Sequence, residues 1–160
     1  MKTNFKANFK PQQLLFLAIP LVVGALAALL IRNSLPLYQQ YTHPPLAPPA
    51  WLFPIVWTIL YVLMGISSCL VSVSISPQRK SALSLFALQL FLNFLWPIVF
   101  FNFQSPLFAL LILLLLWYTV FQMIQAFYLI FPLAGLLQIP YLLWLSFAVY
   151  LNLGIFFLNH

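Results

Sequence analysis

The 160-residue chain contains neither aspartate nor glutamate, and only 4% of its residues are charged. Without carboxylates there is no paired acid and base for hydrolysis and no Ser/His/Asp constellation. There is also no intramembrane acid to take up and release a proton, which argues against ion-coupled transport of the small multidrug exchanger type. Cys69 is the single cysteine and lies within an apolar run, so an intrachain disulfide and a cysteine metal cluster are both excluded. The two histidines, His43 and His160, fall outside the apolar runs on one expected face. Haem ligation is one reading of that pair, and ordinary loop histidines the other.

What is present is apolar. Hydrophobic residues make up 65% of the chain and the mean hydropathy is +1.09. A small protein has much surface for its volume, and a water-soluble fold needs far more polar side chains to cover it. Lipid is the solvent this composition fits. The formal charge of +6 comes from Lys2, Lys6, Lys10, Arg32, Arg79 and Lys80, scattered between apolar runs. A nucleic-acid binder would cluster them on one face, whereas positive residues flanking spans hold loops on the cytoplasmic side.

A helix needs about 20 apolar residues to cross the hydrocarbon core. Five segments qualify, at 14–31, 50–73, 82–101, 106–131 and 133–158, which predicts an all-α integral membrane bundle of five transmembrane helices in one domain, residues 1–160. Arg32, Asn33 and Ser34 open the longest break, a polar, proline-rich stretch through Pro49 that reads as a stiff, non-helical loop. Ser76 to Ser81 is a second break. Pro106 and Pro132 with Gly135 mark the weaker ones. The lysines before the first run, with Ala25 to Ala27 inside it, resemble a secretory signal, but the run is long for a signal's apolar core and is read as a retained span.

With five spans, the N-terminus and the connection between spans 2 and 3 share a side and carry five of the six basic residues, which predicts that side to be cytoplasmic. The proline-rich loop and the C-terminus then lie opposite. No internal repeat is visible.

The functional inventory inside the spans is amides and aromatic rings at helical spacing. Gln89, Asn93 and Trp96 share a face of the third span, ahead of Pro97. Buried amides need partners, and a ligand carbonyl or a neighbouring helix would serve. Trp57, Tyr61, Gly65 and Ser68 form a stripe on the second span, either a cavity wall or packing. In the last span Pro140 is expected to bend the helix and open a cavity beside Tyr141, Trp144, Ala148 and Asn152. Gln122 and Gln125 read as bundle glue, and Trp117 as packed or lipid-facing.

Three stretches carry a family likeness: PPLAPPAWLFPIVWTILYVLMG at 44–65, LQLFLNFLWPIVFF at 88–101 and PYLLWLSFAVYLNLGIFFLN at 140–159. They resemble the translocator protein family, also called tryptophan-rich sensory proteins or peripheral-type benzodiazepine receptors, and most of all its bacterial members. The resemblance implies five transmembrane helices around a ligand cavity, with loop 32–49 as its lid. It implies binding of protoporphyrin IX and related tetrapyrroles, of isoquinoline carboxamide and benzodiazepine ligands, and commonly a homodimer. It also implies cavity contacts by Trp57, Asn93 and Trp144.

The chain departs from the family pattern in three places. His43, Pro44, Pro45 and Leu46 replace the usual Lys-Pro-Ser-aromatic run, and no basic residue follows Tyr150, so a sterol motif is not supported. The small-residue dimer pattern of some bacterial members is absent from the third span, Gly24 and Ala28 being the nearest small pair.

The expected ligand-binding set is Trp57, Tyr61, Gln89, Asn93, Trp96, Trp144 and Ala148, with Arg32 at the rim for a propionate, no metal and no cofactor other than porphyrin as ligand. The function implied is a membrane receptor with a regulatory or sensory role. The alternatives are light-dependent porphyrin degradation, with Trp57 and Trp144 as redox partners, and facilitated tetrapyrrole transport. Membrane lipid is an expected partner and nucleic acid is not.

Overall fold

Prolines set most of the helix starts. The computed structural model describes residues 11–159, so Lys2, Lys6, Lys10 and His160 lie outside the described residues. A 3-10 turn, Pro11–Leu14, leads into α1, Leu15–Ile31. There follow α2, Leu35–Tyr38; α3, Leu52–Ser72; α4, Arg79–Pro97; α5, Pro106–Ile130; α6, Pro132–Leu136; and α7, Ile139–Leu158. Proline occupies the first or second position of α2, α5, α6 and α7, where its missing N–H is not needed and its fixed φ suits the helix. Among the described residues there is no strand.

Four stretches are long and apolar enough to cross a membrane: Leu52–Ser72, Arg79–Asn102, Pro106–Ile130 and Pro132–Leu158. The chain is a multi-pass integral membrane protein. The fifth expected span is α1, a shorter apolar helix of 17 residues. Charges stay at the helix ends: Arg32 follows α1, and the Arg79 guanidinium donates to the Ser74 carbonyl at 3.1 Å, beyond the end of α3.

Three local expectations change. The proline-rich loop does contain helix, because Pro36 sits in the first turn of α2 rather than in a helix interior. Pro140 does not bend a continuous last span, since it too lies in a first turn; the chain breaks before it, between α6 and α7. The helical irregularity falls instead after Pro97, where α4 widens into a π turn, Ile98–Asn102.

Interior prolines and glycines decide how α1 meets α3. Pro20, buried within α1, cannot donate to the Phe16 carbonyl one turn back. The Ser68 hydroxyl of α3 reaches that orphaned oxygen at 3.3 Å while also lying 3.1 Å from the Gly65 carbonyl. Close approach there depends on Gly65, where a β-carbon would stand 2.8 Å from the Leu17 carbonyl oxygen and 3.0 Å from its Cα. The remaining helices close around Met64, Phe86, Leu113, Met123, Phe127 and Leu145, all buried. α6 folds back against α5 at Gly135, whose added β-carbon would sit 2.6 Å from the Tyr128 Cβ. Ser67 donates to the Ala134 carbonyl and Gln138 Nε2 to the Leu63 carbonyl at 3.1 Å, tying this turn to α3. In an apolar medium such bonds replace those that water would make.

Candidate functional site: a roofed aromatic cavity

Toward the other end, the same helices part. A cavity of about 370 Å³ lies between α1, α3, α4 and α7. Small residues of α1, Gly24, Ala27 and Ala28, leave the space, and rings from the other helices wall it. α3 contributes Phe53, Trp57 and Tyr61; α4 contributes Asn93 and Trp96, with Phe100 and Phe101 from the π turn; α7 contributes Trp144, Ala148 and Asn152. The widened turn after Pro97 matters here, since it carries two of the lining phenylalanines.

The rings are arranged edge-on and offset, as their quadrupoles favour. Trp57 lies 5.5 Å from Tyr61 and meets Tyr141 edge-on at 6.2 Å. Trp96 stacks on Phe100 at 5.5 Å, and Phe53 meets Trp144 edge-on at 5.9 Å. Polar groups are few and mostly paired. The Tyr61 hydroxyl donates to Asn93 Oδ1 at 2.7 Å, and Asn93 Nδ2 donates to the Tyr141 oxygen at 2.8 Å. Tyr141 in turn donates to Gln89 Oε1 at 3.0 Å. Trp96 Nε1 donates to Asn152 Oδ1 at 3.2 Å, and Asn152 Nδ2 to the Pro106 carbonyl at 2.8 Å.

The loop between α1 and α3 roofs the space with Leu35, Tyr38, Gln39 and Ala50. It is fastened at both sides. Ser34 donates to Asn102 Oδ1 at 2.7 Å, and Tyr38 meets Phe101 edge-on at 5.4 Å. On the α7 side the Tyr150 hydroxyl donates to the Pro45 carbonyl at 2.6 Å. The Thr42 N–H donates to Asn159 Oδ1 at 2.8 Å, while Asn159 Nδ2 returns a bond to the Thr42 carbonyl at 3.0 Å. Burial in this roof pushes the Tyr38 phenol above the ordinary tyrosine range.

Six of the seven expected site residues, Trp57, Tyr61, Asn93, Trp96, Trp144 and Ala148, come together on the cavity wall. Gln89 does not reach it; fully buried, it lies against Tyr141 with Nε2 4.0 Å from the Met64 sulfur. Gly65 and Ser68 belong to the α1 contact, so the stripe on α3 divides into a cavity half and a packing half. Arg32 is exposed and is not a lining residue. Trp117 is glue, its Nε1 donating to Ser146 Oγ at 2.9 Å, and Gln122 donates to Tyr118. His43 packs against Tyr38 with ring centroids 4.6 Å apart, and the described residues hold no group of three side chains able to bind a metal.

Tyr38, Phe53, Phe100, Phe101 and Asn152 were not in the expected set. Asn152, at steps of four from Ala148 and Trp144, was expected beside the last-span cavity but not among the ligand contacts. Phe53 stands four residues before Trp57 on α3 and continues the Trp57–Tyr61 stripe, while Tyr38 comes from the loop and Phe100 and Phe101 from the π turn, where helical spacing says nothing.

Residues 16–158 match the TspO/MBR family. The chain belongs to that family. Within it, tryptophan-rich protein TspO of Chlorobaculum tepidum is 43% identical over 126 residues, covering 76% of this chain and 78% of that protein. Protein CrtK of Rhodobacter capsulatus is 36% identical over 124 residues, with the same two coverages. The translocator protein of Bos taurus is 35% identical over 141 residues, 86% of this chain and 83% of that one. The family match begins within α1 and ends at the last residue of α7, so it takes in every element that builds the cavity and its roof.

Proposed function

We propose that this TspO/MBR family protein is a membrane receptor with a regulatory or sensory role. It takes a planar, apolar, weakly anionic molecule into the cavity, a porphyrin such as protoporphyrin IX or a related tetrapyrrole. Isoquinoline carboxamide and benzodiazepine-type ligands suit the same space. The observation that carries this reading is the roofed cavity of about 370 Å³, walled by Trp57, Tyr61, Trp96 and Trp144 with Asn93 among them. Drug-sized ligand sites are of this kind, apolar and aromatic with a few placed polar groups. Affinity comes from dispersion and stacking on indole and phenol, and orientation from the amide. Each stacked ring contributes about 1 kcal/mol beyond its burial.

The reading includes α1 as a fifth crossing in a single five-helix membrane domain. The 3-10 turn Pro11–Leu14 supports this, lengthening the 17-residue helix by 4 residues. It places the Arg79 and Lys80 end in the cytoplasm. The roof and the end of α7 lie opposite, as the Thr42 and Asn159 pairing of those two segments supports. Lipid surrounds the bundle, and a homodimer is carried by the family resemblance alone.

Quenching of indole fluorescence by protoporphyrin in detergent tests the assignment. Trp57→Phe and Asn93→Ala should each weaken binding, by roughly fivefold for one lost stack or hydrogen bond. Parental affinity in both variants would remove these residues from the site.

A further inference from the structure

Four polar side chains, Gln89, Tyr141 and Asn93 buried and Tyr61 half-buried, form a chain of hydrogen bonds running from the core to the cavity wall, and that chain has a direction. At its inner end lies the Met64 sulfur, fully buried. A thioether accepts weakly and never donates. The Gln89 amide therefore turns its Nε2 toward the sulfur, 4.0 Å away, and its Oε1 toward Tyr141. Tyr141 spends its single hydrogen on that oxygen at 3.0 Å, so its own oxygen must accept. It accepts from Asn93 Nδ2 at 2.8 Å, which turns Asn93 Oδ1 to Tyr61, and the Tyr61 hydroxyl donates to it at 2.7 Å. Reversing Gln89 would set its oxygen against the sulfur, and reversing Asn93 would leave two amide oxygens competing for the single Tyr141 hydrogen.

We infer that this relay fixes the Tyr61 oxygen as a hydrogen-bond acceptor toward the cavity, so that the site selects planar ligands offering an N–H or O–H there over isosteric ligands offering an acceptor. The inference rests on the cavity reading above. Tyr61 is the outermost member of the relay and lines the cavity. Its hydrogen is committed to Asn93, so only lone pairs remain for a ligand. Gly24 holds the ring in that position: a β-carbon there would come within 2.2 Å of Tyr61 Cε2. Gln89, Tyr141 and Met64 are thus positioning residues that act through Asn93 and Tyr61 without lining the cavity themselves.

Three isosteric tricycles separate the possibilities. Carbazole donates through N–H, dibenzofuran accepts through oxygen, and fluorene does neither. Their dissociation constants, read by indole quenching in detergent and corrected for each probe's partition into the micelle, are referred to fluorene in the same variant.

In the parent protein carbazole should bind roughly fivefold more tightly than dibenzofuran, the worth of one hydrogen bond. In Tyr61→Phe the acceptor is gone and the two constants should converge. In Tyr141→Phe the Asn93 amide is released to turn its Nδ2 toward Tyr61, freeing the phenol hydrogen. The ratio should then fall to about one or invert, an effect that loss of packing alone does not produce. Met64→Leu conserves volume and should narrow the ratio in the same sense, which covers the case of a poorly folding tyrosine variant.

Fluorene bound equally with carbazole and dibenzofuran in the parent, or a carbazole preference surviving in Tyr141→Phe, would overturn the relay and leave the cavity reading standing. Failure of fluorene and both partners to bind would overturn the cavity reading and the relay with it.

Discussion

The interface between α1 and α3 contains two glycines that meet very different neighbours. At Gly65 an added methyl would run into the Leu17 backbone, 2.8 Å from its carbonyl oxygen. At Gly24 the same methyl would meet the Tyr61 ring, 2.2 Å from Cε2. Backbone cannot give way; a ring beside 370 Å³ of open space can. The bundle is thus sealed at one end by helices in backbone contact and held open at the other by aromatic side chains standing between them. Small residues do opposite work at the two ends. Gly65 brings helices together, while Gly24, Ala27 and Ala28 leave room for rings and for whatever they enclose.

Substitutions at these positions test that contrast. Gly65→Val should be the most damaging, lowering stability by about 3 kcal/mol through overpacking against a backbone that cannot move, and thermal unfolding in detergent measures it. Gly24→Ala should cost far less stability yet displace Tyr61 into the cavity, weakening protoporphyrin binding by about tenfold, equivalent to one or two lost contacts. Equal stability losses in the two glycine variants would break the distinction between the sealed and the open end. Asn159→Ala removes two of the three bonds that strap the roof on the α7 side, leaving Tyr150 on the Pro45 carbonyl, and should cost about 1 kcal/mol, appearing mainly as faster ligand release in stopped-flow measurements. Ser68→Ala leaves the Phe16 carbonyl without its reach from α3 and should show the smallest effect, about 0.5 kcal/mol in the same unfolding experiment, because the bond is long and shared.

The helical bundle was legible because hydropathy reports the solvent, and in lipid only helices and closed barrels satisfy the backbone. The long helices accordingly fall within a few residues of their expected ranges, α5 at Pro106–Ile130 against 106–131. Helical spacing also reports which face a residue occupies, and it gathered Trp57 with Tyr61 and Asn93 with Trp96. It does not report depth. Gln89 shares the Asn93 face but sits one turn further in, past the floor of the cavity, and Gly65 and Ser68 share the Trp57 stripe but lie in the sealed end.

The prolines show the same limit. Pro140 reads as a kink from the sequence because nothing local says that the helix begins beside it. Pro97, whose π turn brings Phe100 and Phe101 to the cavity, gives no hint of that widening. The pairing of Ser68 with the carbonyl orphaned by Pro20 joins residues 52 apart in the chain and is tertiary by nature.

The central claim, that the open end of this bundle is a binding site, is tested most directly by filling it. Ala148 lines the cavity on α7, whereas Leu143 on the same helix is exposed on its outer face. Protoporphyrin titrations of Ala148→Trp and Leu143→Trp should show binding abolished in the first and retained in the second, with both proteins folded. Parental affinity in Ala148→Trp would contradict the account, since a ligand indifferent to the loss of that space does not occupy it.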